Sequence, residues 1–259
     1  MPSNNPAFRN MEKVIGAQQA PSADYLQQMY NQPSATGYGA PTQQRYLTLD
    51  DVVARTATLL GTAIVAGVIT AYLKAYVLTI PALVIGLVLS LVIIFKRSSN
   101  PALILGYAVA EGVLLGAITA VFEGQWPGIA MQAIIGTAGV FAGMLVVYKT
   151  GVIRVTPKFT KVLLGAMIGV VVLMVANLLV GMFGGNLHLR DGGTLSIVFS
   201  IVCIVIAAFS FMLDFETIHQ AIKAGAPAST AWYFSFGLMV TLVWLYLEIL
   251  RLLGYLRSN

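Results

Sequence analysis

Charge is what this sequence has least of. Ten acids and fifteen bases among 259 residues make it 10% charged against 58% hydrophobic, where an ordinary soluble domain carries about 25% charged residues. A soluble fold of this length must cover its core with polar surface, and too little is present to do so. With a mean hydropathy of +0.83, the main solvent of the chain is lipid. A secreted disulfide scaffold, a nucleic-acid-binding domain and a conventional soluble enzyme are excluded on these grounds. Cysteine is almost absent too: Cys203 stands alone in an apolar run, so it forms no intrachain disulfide and acts as a small hydrophobe. There is no Gly-x-Ser-x-Gly, no His-Glu-x-x-His and no pair of cysteines, and the two histidines, His188 and His219, fall in or near opposite boundary regions. The chain is therefore not expected to be an enzyme, nor to carry a resident cofactor.

Residues 1–46 differ from the rest. Gln, Asn, Ser and Pro dominate, half of the ten prolines fall there, and no apolar period is sustained, which is the composition of a disordered tail. It lacks the apolar core of a signal peptide and is expected to be retained. Tyr25, Tyr30, Tyr38 and Tyr46 are well spaced in it, a pattern that usually carries no specific role. The second unit, residues 47–259, opens with Thr48-Leu49-Asp50-Asp51, a capping box with Asp in place of the usual Glu.

About 20 apolar residues cross a ~30 Å hydrocarbon core, and the chain after the tail divides into seven such stretches. The expected spans are 53–73, 77–95, 101–122, 128–148, 162–183, 195–222 and 230–255, so the fold class is an all-α membrane protein with seven transmembrane helices. With a cytoplasmic N-terminus, eleven of the fifteen basic residues fall inside, leaving Lys74, Arg190, Arg251 and Arg257 outside. The positive-inside rule thus favours N-in, and an odd number of spans then puts the C-terminus out, in a cell membrane. A re-entrant segment would instead return Arg251 and Arg257 to the inside. The pairs Gly112/Gly116, Gly139/Gly143 and Gly165/Gly169 have the spacing of close helix packing, within the monomer or between copies.

Charges at membrane depth cost from ~2.5 kcal/mol upward, so they face the bundle interior or water and are functional candidates. Three acids qualify: Glu111 in span three, Asp214 in span six and Glu248 in span seven. At ~1.5 Å per residue, Asp214 and Glu111 lie at nearly one height, whereas Glu248 lies ~12 Å or more farther out. Thr241, one heptad below Glu248, has a height that suits Asp214. Carboxylates gathered in a low dielectric would sense protons, and a cation displacing those protons would be a hard one such as Ca²⁺, with Asp214 and Glu111 as its ligands. The alternative is that each acid serves only helix packing. Glu216 and His219 approach a solvated helix end, Arg55 can snorkel, and Asn177 and Gln132 suit interhelical hydrogen bonds.

At these residues the chain resembles the Bax inhibitor-like family, including its bacterial YccA-like members. The likeness covers about residues 50–257. It rests on Glu111-Gly112-Val113-Leu114-Leu115-Gly116, on Leu213-Asp214-Phe215-Glu216-Thr217-Ile218, and on Leu245-Tyr246-Leu247-Glu248-Ile249-Leu250-Arg251-Leu252-Leu253-Gly254. The resemblance implies a seven-helix bundle with the last helix central and a proton-sensitive Ca²⁺ leak gated by two aspartates, on spans six and seven. It also implies a basic latch from span two, here Lys96 or Arg97. Asp214 matches the first aspartate. Glu248 mimics the second locally, yet anchoring on the Leu250-to-Gly254 ending puts Thr241 there instead. In that register Glu111 replaces the missing acid and Glu248 forms a separate outer site. The sequence thus favours a pH-sensitive cation leak; the other reading is a non-conducting membrane regulator that binds a membrane protease or stress-pathway partner, with the tail as bait. A proton-coupled solute transporter is a third.

Overall fold

The computed structural model describes residues 45–258, together with 23, 24 and 27. The tail, with Tyr25, Tyr30 and Tyr38, thus lies almost wholly outside the described residues. Among the described residues from Arg45 onward, seven α-helices follow one another: α1 (Leu49–Tyr72), α2 (Thr79–Lys96), α3 (Pro101–Gln125), α4 (Ile129–Thr150), α5 (Pro157–Met182), α6 (Thr194–Lys223) and α7 (Ala231–Ser258). Each is long and apolar enough to cross a membrane, and among the described residues there is no strand beyond one isolated bridge, Tyr46 to Pro227.

The helix starts are written in local chemistry. Thr48 and Asp51 form the reciprocal box expected of them: Thr48 Oγ1 accepts from Asp51 N at 3.2 Å, and Asp51 Oδ2 accepts from Thr48 N at 3.2 Å. Asn100 and Thr156 cap α3 and α5, each followed by a proline at the first helical position. That Thr156-Pro157 start puts the first turn of α5 five residues before the expected 162. Lys158 and Lys161, whose charge suggests a loop, sit on the helix's polar end. Counting the capped polar turn likewise starts α1 four residues before 53. Gly151 ends α4 at φ +68°, in the left-handed region where glycine is unstrained.

α7 is the hub. It packs on α6, α1, α4 and, more lightly, α3, while α2 lies against α3 and α5 packs chiefly on α6. Its residues run through both of the larger core clusters, Leu238, Leu242, Leu245 and Leu250 in one, Phe236, Met239 and Val243 in the other. Both ends of the hub are fastened. At its start, Leu47 N donates to Ala226 O and Ala228 N to Arg45 O, each at 2.8 Å, so the segment before α1 clasps the α6–α7 turn. At its other end Arg257 donates to Pro127 O and to Gln132 Oε1, in the α3–α4 turn and the start of α4. The two ends of the described bundle therefore lie on opposite faces, as seven full crossings require. Gln132 does join two helices; Asn177 instead accepts from Leu187 N in the loop after its own helix.

Of the three glycine pairs, one is used within the bundle. A Cβ on Gly112 would run into the backbone of Ala63, and one on Gly116 into that of Gly67, so α1 and α3 touch backbone to backbone. Gly139, Gly143, Gly165 and Gly169 face open space. Gly116→Ala should therefore force α1 and α3 apart and cost ~1–3 kcal/mol by overpacking, outweighing the ~1 kcal/mol gained in helix propensity. Gly143→Ala and Gly169→Ala should be neutral or mildly stabilising. Thermal unfolding of the three variants in micelles checks the contrast.

Candidate functional site: carboxylates along the central helix

The three intramembrane acids occupy three separate settings. Asp214, partly buried on α6, accepts from the hydroxyl of Thr241 on α7 at 2.8 Å, whereas that hydroxyl's own-helix carbonyl, Gly237 O, lies at 3.3 Å. Asp214 stands about nine residues from its end of α6 and Thr241 ten from the start of α7, so a rise of ~1.5 Å per residue brings them level. The aromatic cluster of Phe211, Phe215 and Phe141 fills the neighbouring core with edge-to-face and stacked rings.

Glu111 has the expected height but not the expected neighbour. Among the described residues no hydrogen bond or ion pair joins it to Asp214. Tyr107, one turn earlier on α3, stands beside it, and its Oε2 faces Gly86 of α2. Tyr107 packs edge-on against Phe236 of α7, with ring centroids 4.9 Å apart. Phe236 and Thr241 are five residues apart and so point about 140° apart around α7. Glu111 and Asp214 therefore sit on different sides of the hub, which corrects the expectation that they form one cluster. The expected latch residues are remote as well: Lys96 and Arg97 are exposed at the end of α2, with no ion pair among the described residues.

Glu248 is the most buried of the three, 1% exposed. Its Oε1 accepts from Arg190 Nη2 and from Arg251 Nη1, both at 2.9 Å. Ser200 and Trp244 stand beside the same carboxylate. Arg251 is three residues on along α7, but Arg190 comes from the α5–α6 loop, its guanidinium also lying over the Phe199 ring at 5.6 Å. The loop is fixed from both sides: Tyr255 of α7 donates to Arg190 O, and Ser196 bonds His188 O and Asp191 Oδ1. Hydrogen bonding from His188, supported by Ser196, holds the Asp191 carboxyl below the usual carboxylate range.

Arg190 is the residue that sequence reasoning missed. In the sequence it reads as a topological charge, and nothing local announces that a loop arginine turns into the bundle; the one signal is Glu248, a buried acid in want of a cation. Arg251 did carry a signal, the i,i+3 spacing from Glu248. Glu216 is more than a solvated helix end, since Tyr148 of α4 donates to it at 3.0 Å and Gln220 at 2.8 Å. Arg55 pairs with Asp51 at 3.5 Å and lies over the Trp232 ring at 5.3 Å. No group of three His, Cys, Asp or Glu residues suited to hold a metal ion occurs among the described residues.

Seven apolar helices, six of them gathered about the seventh, define a multi-pass membrane protein, with the lipid bilayer as its environment. Across residues 5–258 it matches the family described as Bax inhibitor 1 like, and the chain belongs to that family. No curated protein matches it.

Breaking a buried ion pair by removing one partner costs ~3–5 kcal/mol. Glu248→Leu leaves two guanidiniums without their carboxylate and should cost that much, whereas Arg190→Leu, which leaves Arg251 in place, should cost less. A double-mutant cycle between the two, read by unfolding in micelles, should give a clear coupling; additivity would show that the pair carries no energy.

Proposed function

We propose that this protein is a pH-sensitive cation leak, with Ca²⁺ as the permeant ion, whose switch is the Asp214–Thr241 contact between α6 and the hub. The observation that carries the reading is this single hydrogen bond, at membrane depth, between the acid of α6 and the hydroxyl standing where the family resemblance expects a second acid. As a carboxylate, Asp214 is an acceptor only, and the Thr241 hydroxyl answers it. On protonation it becomes a donor as well and loses its charge, so the contact changes character and the α6–α7 packing can change with it.

The ion is cargo in this scheme and needs no closed cage. Oxygen ligands suit a hard divalent cation, and Asp214 supplies them at mid-depth. Glu248, ~10 Å farther along the hub than Thr241, is a second carboxylate on the way out, closed in this conformation by Arg190 and Arg251. Glu111 belongs to the α2–α3 side and enters as a modulator of packing. N-terminus inside and C-terminus outside is the orientation proposed with it, on the distribution of basic residues.

Ca²⁺ flux into proteoliposomes, measured between about pH 6 and 8, tests the reading. Asp214→Asn should flatten the pH profile; Thr241→Val should shift it while retaining flux; Glu111→Gln should change it less than either. Unchanged flux and pH profile in Asp214→Asn would sink the mechanism.

A further inference from the structure

α1 and α4 both pack on α7 but hardly touch each other. Between them runs a crevice of about 420 Å³, walled by Leu60 and Val68 of α1, Leu115 of α3, Ile134 and Phe141 of α4, and Val243 of α7, and almost wholly carbon-lined. It follows α1 from Thr56 to Ala71, about 22 Å at the helical rise, more than the ~15 Å of one hydrocarbon leaflet. The backbone contact of Ala63 and Gly67 with Gly112 and Gly116 fixes its α1–α3 wall, so the space is built into the fold.

One polar atom at the N-terminal end of this crevice lacks a partner. Thr58, Thr62 and Thr70 on the same helix each donate to the carbonyl four residues back, at 2.8 Å. Thr56, 7% exposed, does not, and its hydroxyl is buried without a hydrogen bond. The reason lies on α7: Ser235 Oγ donates to Val52 O at 3.0 Å, and that carbonyl, already accepting along the helix, has no lone pair left for Thr56. In hydrocarbon such a hydroxyl is costly unless something brings it an acceptor. Toward the helix start, the guanidiniums of Arg45 and Arg55 both reach the carboxylate of Asp51, so two cationic side chains stand at that end of α1.

We infer that the crevice binds one acyl chain of an anionic glycerophospholipid, its ester carbonyl accepting from Thr56 and its phosphate lying toward Arg45 and Arg55. The chain fills a space open to the bilayer and too apolar for water. The carbonyl supplies the missing acceptor, and the phosphate answers the two guanidiniums. No part of this depends on ion conduction.

The test uses the full chain in nanodiscs containing phosphatidylglycerol with a mid-chain diazirine, the labelled residues being mapped by mass spectrometry. Val68, Leu115 and Ala138 should be labelled several-fold above the lipid-facing Val171 and Leu178 of α5. Ala138→Phe, which fills the crevice, should remove that excess and leave the α5 labelling as it was. Thr56→Val should lower crevice labelling about fivefold, the equivalent of one hydrogen bond of ~1 kcal/mol, without loss of thermal stability in lipid-free micelles; Thr56→Ser should restore it. Phosphatidylglycerol should label the crevice more than the phosphatidylcholine analogue does. Equal labelling of crevice and α5, or labelling indifferent to both Ala138→Phe and Thr56→Val, would overturn the site. Labelling by a free fatty-acid analogue but not by the phospholipid, or equally by both phospholipids, would overturn the assigned ligand.

Discussion

Hydrocarbon offers no hydrogen bonds, and that one constraint organises this molecule. Each charged group carried into the spans has been given a neighbour that water would otherwise supply: Thr241 for Asp214, Tyr107 for Glu111, two arginines for Glu248. Two of these three partnerships run through α7, which explains why a helix with an acid in its span is so enclosed. A helix bearing Thr241, Glu248 and Arg251 would be poorly placed against lipid; surrounded by α1, α4 and α6, it becomes the element that the others are fitted to.

Depth was legible in the sequence and direction was not. The rise along a helix is nearly constant, so the distance of Asp214, Thr241 and Glu248 from their loops gave their heights, and the level pairing of Asp214 with Thr241 follows from it. Which way each helix faces depends on contacts between segments far apart in the chain. Glu111 shows the difference, being correct in height and on another side of the hub. The seven spans, the Thr48 box and the close-packing role of Gly112 and Gly116 were readable because each is a local or one-dimensional signal. The inward turn of Arg190 was not, because a loop residue's destination is set by the fold around it.

The bundle is unevenly joined. The α1–α3 seam is a backbone contact that only small residues allow, while α5 leans on little besides α6 and α4 leaves Gly139 and Gly143 uncovered. Tight and loose halves therefore meet at the hub. Asp214 lies on α6, which joins the loose half to the hub, where a change in one contact can alter the fit of that half while the seam holds.

The clasp of Arg45–Leu47 onto the α6–α7 turn has a consequence for biosynthesis. The hub is the last of the seven spans to leave the ribosome, yet the segment that grips its entrance is made before the first. Six helices must therefore wait in the bilayer around an unfilled centre, with the α1–α3 seam already able to close and the acid on α6 lacking its hydroxyl. Assembly is finished by the arrival of α7, and the clasp acts as the fastening that registers its arrival.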